Sequence, residues 1–122
     1  MSADRHVTDY LRDMISGADA AMAFVQGVDF DTFERNLEKS FAVVWALEIV
    51  GEAARNVHPS VRRQYPAVPW RHAIDMRNFV SHQYFGVDLE VVWRTVHADL
   101  PSLRAQVASV LEDINSDDRL GS

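Results

Sequence analysis

The sequence predicts an all-α protein, an antiparallel helical bundle of four to five helices that forms a homodimer. Three observations support this fold class. Apolar residues recur every three or four positions, Gly and Pro separate the periodic segments, and no stretch shows strand alternation followed by a hairpin turn. The 122 residues, 48% of them hydrophobic, suffice for one domain with a sizeable core. We expect residues 1–114 to form that domain and residues 115–122 to be a polar, frayed C-terminal tail.

A glycine and a capping sequence delimit the first two predicted helices. Apolar residues at helical spacing from Val7 to Val25 predict a helix over about residues 4–26, which Gly27 ends. Asp31-Thr-Phe-Glu34 resembles a capping box with Asp in the first place. The second helix is therefore expected to begin there and to run to about residue 57.

Proline and aspartate mark the remaining helices. Residues 60–68 are expected to form a short helical turn and a connection. Pro69 suits the first position of a third helix that ends near residues 85–86. Asp88 is a candidate N-cap for a fourth helix, and Pro101 predicts a kink or a short break within it. The inner face of this fourth helix is predicted to hold Leu89, Val92, Val96 and Leu100.

The second predicted helix is apolar on every side. Between Phe41 and Val50, Glu48 is the one charged residue. A helix of this kind must be covered on more than one side, and in a small bundle a second copy of the protein would cover Trp45. The alternative is that this is the central helix of a monomer. Gly51 lowers helix propensity in the same segment and predicts a close helix crossing.

Composition limits the compartment and the partners. The chain has no cysteine, no apolar run near the roughly 18 residues of a membrane span, and no visible signal peptide, so we expect a cytoplasmic protein. Its net charge of −6 argues against a broad, non-specific nucleic-acid surface. The segment 55–82 differs, because its five Arg and one Asp give +4 against −10 for the remaining residues.

Residues 77–84, Arg-Asn-Phe-Val-Ser-His-Gln-Tyr, carry the candidate chemistry. On an ideal helix Asn78 and His82 share a face, and the long Arg77 side chain can reach the same pocket. A His near its ordinary pKa can serve as general base or general acid in RNA cleavage, and an Arg supplies permanent charge for phosphate oxygens. One His cannot easily serve as both general base and general acid. Two motifs across the cleft of a symmetric dimer would complete the site.

Structural and binding alternatives stay open at this point. Arg77 can pair with Glu48 or Glu52 of a neighbouring helix, and His82 can cap a helix C-terminus. The chain can equally be a helical binding module without nuclease activity, or a bare structural bundle. No metal or other cofactor is expected, because His58, His72 and His97 lack the spacing of metal ligands.

The motif resembles the Arg-x4-His-x-Tyr pattern of the HepT-like toxins, a branch of the HEPN helical superfamily. The similarity covers nearly the whole chain, in the order of that family. It includes Tyr10-Leu-Arg-Asp13, Leu47-Glu-Ile-Val-Gly-Glu-Ala-Ala54, Tyr65-Pro-Ala-Val-Pro-Trp70, the segment from Met76 to Asp88, Val92-Trp93 and Leu100-Pro101.

This resemblance implies a metal-independent endoribonuclease, the toxin of a type VII toxin–antitoxin system, with an RNA substrate and a MntA-type nucleotidyltransferase as antitoxin. It implies that Arg77 and His82 are the catalytic pair at a dimer cleft and that Asn78 supports them. It also implies that the antitoxin transfers AMP from ATP to Tyr84 and thereby silences the nuclease.

Overall fold

The computed structural model describes residues 5–78 and 88–121, with side chains as far as Asp117. Within these residues the secondary structure is helical throughout, so the predicted all-α class is confirmed. The elements in chain order are α1 (Val7–Val25), α2 (Phe30–Arg35), α3 (Leu37–Asn56), α4 (Pro59–Gln64), α5 (Trp70–Asp75), α6 (Leu89–Arg94), a π turn (Thr95–Asp99) and α7 (Leu100–Gly121). None of the helices in this part of the chain is long and apolar enough to cross a membrane.

The core lies between α1, α3 and the long C-terminal helix. α1 packs against α3 and α7, and α5 packs on the C-terminal half of α3. α1 and α3 run antiparallel, since Gly17 meets Ala46 and Val50 while Tyr10 shares a groove with Asn56. The largest fully buried side chains come from each of these layers: Phe33, Leu11, Met14, Leu47, Met76, Leu100, Val43, Val50, Val57, Val92, Val96 and Val107.

The end of the first helix is as predicted, and the start of the second differs. Gly27 follows α1 with a φ of +73°, a conformation that glycine adopts without steric cost. The N-cap of α2 is Asp29 rather than Asp31, because the Asp29 carboxylate accepts a hydrogen bond from the Thr32 N–H at 2.8 Å. The single helix expected from residue 31 to about 57 is broken at Asn36.

Asn36 breaks that helix because its side chain begins a new one. Its amide oxygen accepts from the Lys39 N–H at 2.9 Å and so caps α3. The buried Ser40 hydroxyl donates to the carbonyls of Phe33 and Asn36, both at 2.8 Å. The same two carbonyls also accept backbone N–H groups, from Asn36 at 3.3 Å and from Ser40 at 2.9 Å, so the hydroxyl reinforces a junction that the backbone already bonds.

The predicted third helix is shorter than expected at both ends. Pro69 is the N-cap of α5 rather than its first residue, and α5 ends at Asp75. The N–H groups of Met76 and Arg77 bond to carbonyls three residues back, which tightens the chain into a turn. Arg77 therefore lies in a turn after α5, so the predicted helix is interrupted before it reaches Asn78. The part of that helix predicted from residue 79 to residues 85–86 lies outside the described residues.

The fourth helix begins as predicted and is interrupted differently. The Asp88 carboxylate accepts from the N–H groups of Glu90 and Val91 and caps α6. In place of a kink or break at Pro101, the helix stays continuous through the π turn, where the Leu100 N–H bonds to the Thr95 carbonyl five residues back. Pro101 has no N–H for a regular α-helical bond, so the irregularity lies in the turn just before it.

The expected inner face of this helix is largely buried. Val92, Val96 and Leu100 are almost completely inaccessible to solvent, while Leu89 is half-buried. At the other end, α7 continues to Gly121, so it includes most of the polar C-terminal segment.

Candidate active site around Arg77

Arg77 comes directly against α3 because a glycine faces it. A Cβ atom placed on Gly51 would lie 2.5 Å from the Arg77 backbone nitrogen and 2.9 Å from the Ile74 carbonyl oxygen. Real Cβ atoms do not approach backbone atoms this closely, so a side chain at position 51 would push the turn away. The close crossing predicted at Gly51 is confirmed, and its neighbour is the backbone of the candidate catalytic Arg.

The Arg77 side chain pairs with Glu52, the residue after that glycine. Its Nε atom lies 3.6 Å from Glu52 Oε1, which is an ion pair longer than a hydrogen bond. Of the two acids that the sequence offered as partners, Glu52 makes the contact. The Arg77 side chain is 39% exposed, so its charge stays accessible to a ligand.

Glu52 is itself held from its own helix. Its Oε2 atom accepts from Arg55 Nη2 at 3.2 Å and from Asn56 Nδ2 at 3.4 Å, and the Asn56 amide also donates to the Glu52 carbonyl at 2.9 Å. The hydrogen bond from Arg55 is the largest cause that lowers the pKa of Glu52 below its ordinary value, and the charges of Arg55 and Arg77 act in the same direction. Glu52 is therefore a carboxylate at neutral pH.

A groove of about 450 Å³ extends from Arg77 along the surface between α1 and α3. Arg5 lines the groove and already has two partners. Its Nη2 atom lies 2.9 Å from Asp13 Oδ2, and its guanidinium carbon lies 4.7 Å from the centroid of the Tyr10 ring. The groove is lined by Arg5, Tyr10, Asp13, Trp45, Glu48, Ile49, Glu52, Ala53, Asn56 and Arg77. Three carboxylates face two guanidinium groups, so a bound phosphate would depend on Arg77 rather than on a general positive field.

The predicted site residues divide between the described and undescribed parts of the chain. Arg77, which lines the groove, and the half-buried Asn78, which follows it in the chain, are described. His82 and Tyr84 lie outside the described residues. The expected convergence of Arg77, Asn78 and His82 on one pocket stays a prediction.

The outer face of α3 carries an exposed apolar stripe, which we define as Leu37, Phe41, Trp45 and Ile49. These residues are spaced four apart, so they follow one face of the helix. Leu37, Phe41 and Trp45 are 65%, 67% and 62% exposed, and Ile49 is 38% exposed. The stripe leads along α3 into the groove, where Trp45 and Ile49 are two of the lining residues.

Three other histidines of the described residues have structural partners. His72 Nε2 lies 2.9 Å from Asp99 Oδ2, and His58 caps α4 by accepting from the Ser60 N–H. His97 stacks on Trp93, with ring centroids 4.2 Å apart. No group of three or more metal-ligating side chains occurs in the part of the chain with described side chains.

Sequence reasoning missed most of the groove around Arg77. An antiparallel bundle was predicted, but the register that brings Arg5 and Tyr10 to the same groove as Arg77 depends on how α1 packs on α3, which no local pattern specifies. Glu52, Arg55 and Asn56 did carry a signal, since an acid followed by a base and an amide three and four residues later forms a contact cluster on a helix.

Comparisons with known proteins agree on one family. The profile of the family described as Ribonuclease HepT-like matches residues 14–110. A protein of Thermococcus cleftensis named "Probable ribonuclease HepT" is 40% identical over 98 residues, which is 80% of this chain and 89% of the relative. A "Putative RNase" of Methanocaldococcus jannaschii is 35% identical over 106 residues, 87% of this chain and 97% of the relative. No solved structure matches the chain.

Proposed function

The chain belongs to the HepT-like ribonuclease family, and we propose that it is an endoribonuclease that acts as the toxin of a type VII toxin–antitoxin pair in the cytoplasm. One observation carries the proposal. The matched region contains residues 77–84, and its Arg77 lines a groove and has a partly exposed side chain. An arginine beside a histidine-containing segment suits the two needs of RNA cleavage, charge on the phosphate and proton transfer.

The reaction needs no metal ion. His82 as general base removes the proton from the ribose 2′-hydroxyl, and the resulting oxygen attacks the adjacent phosphorus. The bond from phosphorus to the 5′-oxygen breaks, and a general acid returns a proton to that oxygen. The products are a 2′,3′-cyclic phosphate and a 5′-hydroxyl.

Arg77 stabilises the charge of the pentavalent phosphate in this step. Its guanidinium is permanently protonated and matches two phosphate oxygens at once. Asn78 supports it as a neutral hydrogen-bonding group beside the same phosphate. The acidic groove then limits non-specific binding, because RNA gains little from the surface outside the Arg77 site.

We propose that two copies of the chain form the working enzyme. One His82 cannot be base and acid at the same moment, whereas two motifs facing one cleft supply both roles. The exposed stripe of α3 supports this arrangement. Its four apolar side chains lie on one helix face and lead into the groove, so a second copy packed there would lie next to Arg77.

Control of the enzyme is proposed to act on Tyr84. A MntA-type nucleotidyltransferase would let the Tyr84 phenol oxygen attack the α-phosphorus of ATP. The bond to pyrophosphate breaks, pyrophosphate leaves, and the phenol proton passes to a base or to water. The added AMP places bulk and negative charge two residues from His82, where the RNA phosphate is meant to bind.

One observation favours a second candidate function. Arg77 is already paired with Glu52, and the groove holds more carboxylates than guanidinium groups. A non-catalytic helical partner of a minimal nucleotidyltransferase would use the same groove as a protein interface.

RNA cleavage in EDTA separates these two functions. Purified protein is expected to cleave RNA with the chelator present and to leave 2′,3′-cyclic phosphate ends, read by treatment with a cyclic-phosphate hydrolase and gel electrophoresis. His82→Ala should lose at least about 100-fold in kcat, the usual size of a general acid–base contribution. His58→Asn is the matched control, because Asn keeps the capping acceptor of α4. Cleavage by His82→Ala at the wild-type rate would eliminate the nuclease mechanism.

Modification of Tyr84 is tested by mass spectrometry. Incubation with the cognate nucleotidyltransferase and ATP should add the mass of AMP and reduce RNA cleavage. Tyr84→Phe should stay unmodified, whereas Tyr65→Phe should be modified as wild type is. AMP on the Tyr84→Phe protein would move the acceptor to another residue.

A further inference from the structure

Two consecutive residues of α3 hold Arg77 by different means. Gly51 fixes the backbone, since the Arg77 nitrogen lies 2.5 Å from the point that a Cβ atom at position 51 would occupy. Glu52 fixes the side chain through the ion pair to Nε. Because both residues are in the interior of a 20-residue helix that packs on α1, the support is rigid.

The ion pair to Glu52 is made by the Nε atom of Arg77. Glu52 contacts the Nε edge of the guanidinium, and no other ion pair or hydrogen bond of this group is formed with the described residues. As far as residues 5–78 and 88–117 are concerned, the two terminal nitrogens can act as a fork for phosphate oxygens. Glu52 does not compete for that fork, because Arg55 and Asn56 hold its second oxygen within α3.

We infer that Gly51 and Glu52 are positioning residues that aim Arg77 at the scissile phosphate. The inference rests on the proposed ribonuclease function, in which Arg77 contacts the RNA. Neither residue meets the reacting atoms, and both act through Arg77. A glycine is needed for the approach of the backbone, and a carboxylate is needed for the charge of the pair.

Glu52→Gln tests the charge of this support. Gln keeps the size of the side chain and its contact with Asn56 but has no charge to pair with Arg77. We expect kcat to fall about two- to fivefold, the range for an exposed ion pair. Glu48→Gln removes a carboxylate from the same groove, one helical turn earlier. It should lower KM for RNA through reduced repulsion without lowering kcat.

A double variant tests whether Glu52 acts through Arg77. In an Arg77→Lys background the Nε edge is gone, so Glu52→Gln should cause a smaller drop in kcat than it does in wild type. Equal drops in both backgrounds would show that Glu52 acts on the reaction by some other route, and the inference would then fail.

Gly51→Ala tests the backbone contact against a matched glycine. A Cβ on Gly17, at the crossing of α1 and α3, would lie 2.8 Å from Val50 Cγ2 and 3.0 Å from the Ala46 oxygen, so Gly17→Ala disturbs the same helix without displacing Arg77. Displacing a catalytic group by about 1 Å can cost about 100-fold, so Gly51→Ala should lose about that factor in kcat per folded molecule. Gly17→Ala should lower the melting temperature with a much smaller effect on kcat.

The outcomes separate the two proposals. Wild-type activity in Arg77→Ala would refute the role of Arg77 in RNA cleavage. If Arg77→Ala is inactive while folded Gly51→Ala and Glu52→Gln keep wild-type kcat, the ribonuclease stands and the positioning role is refuted. Should Gly51→Ala fail to fold, as shown by circular dichroism, the Glu52 variants decide the question alone.

Discussion

Trp45→Ala is the most direct perturbation of the proposed dimer. The indole is 62% exposed in the single chain, which leaves about 150 Å² of a side chain of about 250 Å² in contact with water. Burial of that area corresponds to at most about 4 kcal/mol per copy at about 25 cal/mol/Å². The entropy lost on association offsets part of this free energy. We therefore expect Trp45→Ala to cost about 2 kcal/mol of dimer stability per copy, the threshold of an interface hot spot.

Symmetry doubles the effect. A homodimer loses both indoles, so the change should total about 4 kcal/mol and weaken the dimer about 1000-fold. Sedimentation velocity over a range of concentrations measures this shift. The rate of RNA cleavage, measured at the same concentrations, should fall as dimer is lost, because each monomer supplies one His82. Arg71→Ala, on the exposed surface of α5, should leave the mass unchanged.

Two results would refute the reasoning. If the wild-type protein stays monomeric at micromolar concentration, the exposed stripe is not a homodimer interface. A Trp45→Ala protein that remains dimeric and active at the lowest concentrations would place the interface elsewhere on the molecule.

The other predictions concern stability. Phe33→Ala should lower the free energy of unfolding by about 3–5 kcal/mol in urea denaturation, because Phe33 is completely buried; a loss below about 1 kcal/mol would contradict its place in the core. Asn36→Ala should cost about 0.5–2 kcal/mol through loss of the α3 cap, and Asn36→Asp, which keeps the acceptor, should recover most of it. The hydrogen bond to Asp113 raises the pKa of Tyr65 to about 12, so its stabilising contribution should be complete below pH 10 and should disappear as the pH rises toward 12. An ultraviolet titration in which wild type and Tyr65→Phe differ by a phenol of ordinary pKa would contradict this last expectation.

The fold was predictable where a residue type has one strong local preference. Gly27 after an apolar stripe ended α1, and Asp88 capped α6, because a positive φ and an N-cap each favour few residue types. Asp31 was predicted as the cap of the next helix because Glu34 follows it by three residues, as in a capping box, whereas Asp29 has Thr32 at that position. In the structure the Thr32 N–H donates to the Asp29 carboxylate, which makes Asp29 the N-cap.

Other features depend on contacts between distant parts of the chain. The periodicity alone favoured a helix through Arg77, yet α5 ends before it, where the turn packs on Gly51. For the site, the sequence narrowed the partner of Arg77 to two acids on neighbouring turns. Selecting Glu52 required the register between α3 and the turn after α5, which only the packed structure supplies.

The π turn at Thr95–Asp99 has a consequence for the history of the family. A π turn is equivalent to one extra residue within an α-helix, and one residue rotates everything beyond it by about 100° about the helix axis. Deleting a residue here would rotate Leu103, Val107 and Val110 away from the core that now buries them. We therefore expect relatives with a regular helix in this segment to be one residue shorter there, and to carry their apolar positions in a correspondingly shifted register.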